Sequence, residues 1–116
     1  MKRKFVETPV FRRLWSNAGL SEENLRELQR TILVNPESGD VIQGAYGLRK
    51  IRVALPGKGK SGGARVLYKD FEFAGQIFFL FLILKSKQAN LTSDQKKLVV
   101  AELKAIEKQL KENQIG

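Results

Sequence analysis

"ALPGKGKSGGAR" (Ala54–Arg65) admits two readings that lead to different folds. Ala54, Gly59, Lys60 and Ser61 fit a loose phosphate-binding loop, with Ala in place of the first Gly of G-x-x-x-x-G-K-[ST]. Such a loop leaves a strand and enters a helix at once, so that its amides and the helix N-terminus wrap the phosphates. Here Gly62 and Gly63 follow Ser61, and an alternating run rich in β-formers comes next. The first-turn amides and the helix dipole that hold a nucleotide are then missing. Nor does the later apolar strand end on an acid for Mg²⁺, since Ile77–Leu84 runs into Lys85. The stretch predicts strand, loop, strand, and no nucleotide cofactor. Five of the ten residues from Pro56 to Arg65 are Gly or Pro, while Lys58, Lys60 and Arg65 carry charge. It reads as a flexible basic hairpin loop whose backbone can approach a polyanion closely.

The flanking runs agree with that hairpin. "LRKIRVAL" (Leu48–Leu55) alternates as a strand, with Lys50 and Arg52 on one face and Ile51 and Val53 on the other. "ARVLYKDFEF" (Ala64–Phe73) puts Arg65, Leu67 and Lys69 opposite to Val66 and Tyr68. "QIFFLFLILK" (Gln76–Lys85) is apolar on both faces, as in a central strand covered on both sides. Upstream, "KFVE" (Lys4–Glu7) predicts a short opening strand, and Thr8-Pro9 a capped helix start. Phe11, Leu14, Trp15 and Ala18 then recur at helical spacing until Gly19, with Trp15 as a core anchor. A second helix runs from Ser21 to "NP" (Asn35, Pro36) on a stripe of Leu25, Leu28, Ile32 and Leu33. Finally "TSDQ" (Thr92–Gln95) is a capping box opening a long helix with Val99, Leu103, Ile106 and Leu110 in line. There is no internal repeat and no long linker, so residues 1–116 read as a single domain.

Composition removes several kinds of chemistry. The 116 residues contain no Cys and no His, which excludes disulfides, thiolate sites, histidine triads and histidine-ligated zinc. Catalysis would rest on Lys, Arg, Tyr, Asp, Glu, Ser or Thr, and no metal is expected. No apolar run reaches the roughly 18 to 20 residues that span a bilayer, and no signal-type segment follows the basic start. A cytoplasmic location without membrane contact is the expectation. The charge is local: residues 46–87 hold 9 Lys/Arg against 2 Asp/Glu, which accounts for +7 of the formal +9. Such clustering points to a polyanionic partner. Lys50, Arg52 and Arg65 share one face if the hairpin pairs, and Lys85 leaves the next strand on the parity of Ile83 and Lys87. That face reads equally as a phosphate-binding surface or as a solvated side of an antiparallel sheet.

The order of elements and the run "GDVIQGAYGLRKIRVALPGKGKSGGARVLY" (Gly39–Tyr68) resemble the RelE/ParE superfamily of toxins from bacterial toxin–antitoxin pairs. The run looks closely like the HigB branch, in which a "GLRKIR" segment, a "GKGK-GG" loop and an "R-(V/I)-(L/I/V)-Y" strand follow one another. The resemblance implies an α+β, RelE-like fold: an N-terminal strand and helical hairpin, a three-strand antiparallel meander, then a C-terminal helix. It implies a ribosome-dependent mRNA endonuclease that cuts translated message in the A site and is neutralised by an antitoxin, often one with a helix-turn-helix DNA-binding domain. Cleavage by attack of the RNA 2′-hydroxyl on the adjacent phosphate needs no metal or other cofactor. It needs a base, cations for the phosphorane and an acid for the leaving oxygen.

Residue by residue, the resemblance assigns catalytic roles to Lys50 and Arg52 on the strand after "GL", to Arg65 opening the next and to Lys85 ending the last. Lys50 is the candidate base or scissile-phosphate ligand, Arg65 the transition-state stabiliser, and Lys85 the aid to the leaving group. Lys58, Lys60, Lys69 and Lys87 are the expected RNA and ribosome contacts. The chain departs from the branch at "ILKSKQANLT" (Ile83–Thr92), where relatives commonly read "Y-x-K-N-E". Ile83 stands in place of a stacking aromatic and Lys87 in place of an acid, and neither Tyr46 nor Tyr68 aligns with the missing ring. Two alternatives remain: a ParE-type toxin that inhibits DNA gyrase, and a non-catalytic basic RNA-binding module.

Overall fold

The chain enters the fold through a strand that stops where Thr8 and Pro9 require a helix. In the computed structural model, which describes residues 2–57 and 59–115 and only the backbone of 59–62 and 115, β1 spans Lys4–Glu7 and α1 Pro9–Asn17. The Thr8 hydroxyl accepts from the Phe11 amide at 3.2 Å and donates to the Leu80 carbonyl at 3.4 Å. The cap therefore also fastens the helix to the sheet. Gly19, at φ +78°, turns the chain into α2 (Glu22–Val34). Ser21 caps α2 in a box closed by Asn24 rather than by Glu or Gln.

Five strands form one mixed sheet in the order β1-β5-β4-β3-β2. The strands after α2 are β2 (Asp40–Val41), β3 (Arg49–Leu55), β4 (Gly59–Phe71) and β5 (Gln76–Leu84), and α3 (Ser93–Ile115) ends the chain. β1 lies parallel to β5; β5, β4 and β3 form the expected antiparallel meander, and β2 pairs antiparallel at its outer edge. The apolar strand Gln76–Leu84 is interior, as expected, but the middle of the five is β4. At the two-residue β2, Asp40 faces Lys50 in register; it is too short to leave a periodic signal in the sequence.

Two boundaries differ from the sequence reading. The loop expected over Pro56–Arg65 is mostly strand: β4 begins at Gly59, which pairs with Leu55, and the turn among the described residues lies at Pro56 and Gly57. Glycines carry a ladder as readily as a loop when a partner strand stands opposite, and composition alone does not separate the two outcomes. Gly57 supplies the left-handed turn at φ +71°. At the other end β4 stops at Phe71, because Glu72–Ala74 form a 3₁₀ turn that Gly75 closes at φ +64°.

A register shift gives β5 its second apolar face. Leu67 pairs with Phe81 but Tyr68 with Phe79, so one extra residue bulges from β5. Ile77 and Phe79 pack with α1 and α2, as Leu82 does beyond the bulge, while Leu80 and Ile83 turn toward α3. One core lies between the sheet and the helical hairpin, centred on Phe11, Trp15, Tyr68 and Phe79; Trp15 is the core anchor expected. The other lies beneath α3, from Val99 through Leu103 to Leu110. No helix among the described residues is long and apolar enough to cross a membrane.

A candidate phosphate-binding cavity beneath the third helix

β3 and β4 bring their cations together by register. Lys50 lies opposite Leu67 and Arg52 opposite Arg65, so Lys50, Arg52 and Arg65 share the sheet face that α3 partly covers. Arg65 is in turn opposite Ile83, which the β5 bulge has moved to this face. Where α3 leaves the sheet, a cavity of about 350 Å³ opens. Lys50 and Arg65 project at its floor beside Ile83, Val41 and Ile42 form one wall, and Ala89–Leu91 with Lys96 form the other.

No acid among the described residues lines this cavity. Among the described residues, neither Lys50, Arg65 nor Lys96 has a carboxylate within 4.0 Å, and Asp40 makes no ion pair with Lys50 although it is opposite in register. One Arg65 NH donates to the Ala89 carbonyl at 3.2 Å, which aims the guanidinium along the cavity wall. Arg49, next to Lys50, serves structure instead. It donates at 2.7 Å to the Gly39 carbonyl and at 3.3 Å to that of Glu37, holding the approach to β2. Half-buried cations with no carboxylate beside them make a positive potential that an anion relieves.

The other expected site residues fall elsewhere. Arg52 is exposed at the outer edge and borders a second cleft of about 240 Å³ against α2, with Asn24, Glu27 and Thr31. Lys85 is exposed just past the end of β5, its amide bonded to Gly63 at 3.1 Å, and does not line the cavity. Lys87 borders a cleft beside α1. Lys69 is engaged at the opposite end of the sheet, donating to the Tyr46 carbonyl at 3.0 Å and lying over the rings of Tyr46 and Phe71. Lys58 lies outside the described residues, and only the backbone of Lys60 is described.

Neither tyrosine fills the place of the missing aromatic. Tyr68 is fully buried in the α1–α2 core, where its hydroxyl accepts from the Gly39 amide at 2.9 Å and donates to the Pro36 carbonyl at 2.8 Å. Tyr46 sits at φ +57°, unusual for a side chain with a Cβ, and donates to Glu107 of α3. That hydrogen bond, then burial, raises its phenol above the ordinary range.

Lys96 is the cavity residue that the sequence reading did not single out. A signal for it exists: counting back three residues from Val99 continues the line Val99, Leu103, Ile106, Leu110 to position 96. A lysine stands there, at the head of an apolar stripe.

The family rests on the sequence comparison. The family described as the RelE toxin of the RelE/RelB toxin–antitoxin system matches residues 3–116. The chain belongs to the RelE toxin family. A solved structure of the Escherichia coli toxin RelE, a doubly substituted mutant in the free state, superimposes with a TM-score of 0.52 at 17% identity. The match covers 72% of this chain and 83% of that one, and it supports the RelE fold. This RelE-family chain thus has the α+β architecture its element order implied, with β2 added at the edge of the sheet.

Proposed function

We propose that this toxin is a ribosome-dependent endonuclease that cuts translated mRNA, acting as one domain over residues 1–116. The observation that carries the reading is the cavity floored by Lys50 and Arg65, with no acid in its lining among the described residues. A scissile phosphodiester there gains charge as its phosphorane forms, and cations already in place stabilise that charge without reorganising. In the step proposed, the 2′-oxygen bonds to phosphorus as its proton passes to a base, the bond from phosphorus to the 5′-oxygen breaks, and that oxygen leaves as a hydroxyl by taking a proton from Lys85 or from water. Lys50 serves as base or phosphate ligand, and Arg65 as phosphorane stabiliser. Arg52 and Lys85 lie at the same end of the sheet, where they meet the phosphates flanking the cut. Lys58, Lys60, Lys69 and Lys87 add contacts to message and ribosome.

The run Gly39–Tyr68 favours the HigB branch of the family, and an antitoxin, of helix-turn-helix type in this reading, neutralises the protein in the cytoplasm. The apolar Ile83 at the cavity floor offers a base a surface to pack on without aromatic stacking. Primer extension on an mRNA in a purified translation system tests the reading. Wild type is expected to produce cuts only where ribosomes translate, and Arg65→Ala to lose about 10²-fold or more in rate with its fold intact. An equally active, well-folded Arg65→Ala protein removes Arg65 from the site; cuts on naked RNA remove the dependence on ribosomes.

A further inference from the structure

We propose that Lys96 is a third phosphate-binding residue of this site, reaching from α3 to the anion that Lys50 and Arg65 meet on the sheet. The inference deepens the reading above and rests on it for the ligand being RNA.

Lys96 stands in line with Val99 and Leu103, two buried residues that face the sheet. A fifth apolar residue in that stripe would extend the packing beneath α3; a half-buried lysine forgoes that and keeps a cation beside the cavity. Lys96 borders both this cavity and a groove lined by Gly44, Val100 and Ala101, and its ammonium lies 3.5 Å from where a Cβ on Gly44 would stand. Of the other α3 lysines, Lys111 is 3.8 Å from Glu107 and Lys104 lies over the Tyr46 ring, while Lys97 and Lys108 are exposed to solvent and Lys96 is half-buried. Among the described residues, the Lys96 ammonium has no such partner. Lys50, Arg65 and Lys96 thus border about 350 Å³ from three elements, β3, β4 and α3. Held that way, a phosphate is clamped between sheet and helix, and its binding depends on α3 staying docked.

The test is a titration of the whole protein with a 2′-O-methyl RNA trinucleotide, which has the phosphates but lacks the attacking hydroxyl. Wild type is expected to bind it, and Lys96→Ala to weaken binding roughly tenfold, the loss of one charge-assisted contact. The slope of log affinity against log salt should fall by about 0.7, one single-strand phosphate contact. Lys96→Arg should retain most of the affinity, which a purely packing role would not predict. Wild-type affinity and slope in a folded Lys96→Ala protein overturn the inference. So does a wild type that fails to bind the trinucleotide, or a Lys96→Arg protein as weak as Lys96→Ala. A wild type that binds as described but cuts no translated message removes the nuclease reading and leaves the phosphate site standing.

Discussion

The two faces of the sheet are built from the same strands and solve opposite problems. Against α1 and α2, every inward position is apolar or satisfied: Phe79 stacks between Phe5 and Phe11 at centroid distances of 5.6 and 5.0 Å, and Tyr68 spends both hydrogen-bonding capacities on backbone. Against α3, the apolar cover runs from Leu110 to Val99 and then stops, and Lys50, Arg65 and Lys96 occupy the positions where it would continue. One face maximises burial. The other gives up burial at one end, where half-buried cations stand without carboxylate partners among the described residues. Among the described residues the α1–α2 core holds twelve buried side chains against nine beneath α3, so the larger share of burial lies on the sealed face.

The sharpest way to break that contrast is to damage the sealed face. Phe79→Ala removes a fully buried ring from between two others and should cost about 3–5 kcal/mol. Chemical denaturation would measure it, with the midpoint moving down while the slope stays constant. Since small domains have only about 5–15 kcal/mol in total, this one change should bring the chain close to unfolding. A loss below about 1 kcal/mol would mean that the α3 side carries more of the stability than its packing indicates.

The next effect is smaller and links the two faces. The Tyr68 hydroxyl holds the Pro36–Gly39 connection, and this segment leads directly into β2 and the cavity wall of Val41 and Ile42. Gly39 leaves no room for another anchor, because a Cβ there would stand 2.8 Å from the Lys50 carbonyl. Tyr68→Phe should therefore leave a buried amide and a carbonyl without partners and cost about 1–3 kcal/mol. The Gly39 amide should exchange with solvent faster than in wild type, a local signature that simple loss of core volume would not produce. Unchanged exchange at Gly39 would detach the cavity wall from the sealed face.

How much of this was legible in the residues follows from what kind of signal each feature leaves. The helices announced themselves through local chemistry: Thr8-Pro9, Ser21 and Thr92 each cap the element they were expected to open. The strand pairing of Lys50, Arg52 and Arg65 on one face followed from alternation alone. The β5 bulge did not, because a run apolar at every position has no parity to read; only packing shows that Ile83 faces Arg65. Lys96 lay hidden for a related reason, since a lysine on a long helix ordinarily reads as solvated surface. The glycine-rich stretch from Pro56 to Arg65 reads as loop yet is strand from Gly59 on, because glycine marks freedom without saying whether a neighbour will use it.

The smallest effect expected is also the one that states the trade between the faces most directly. Lys50 projects into the cavity with Arg65 and Lys96 and has no carboxylate within 4.0 Å among the described residues. Replacing it by a side chain of similar length without charge relieves like-charge repulsion and places apolar surface against Val41, Ile83 and Leu91. Asp40, across the strand pair, loses a weak long-range attraction, which screening by solvent keeps small. Lys50→Met should therefore raise stability by about 0.5 kcal/mol while abolishing cleavage of translated message. Thermal unfolding at low salt should show the gain, and raising the ionic strength should shrink it, because screening already weakens the repulsion in wild type. A Lys50→Met protein that is both less stable and inactive would make Lys50 a structural residue whose loss damages the site indirectly. One that is more stable and still cleaves would move the proposed base to another side chain and leave the cavity with a purely electrostatic role.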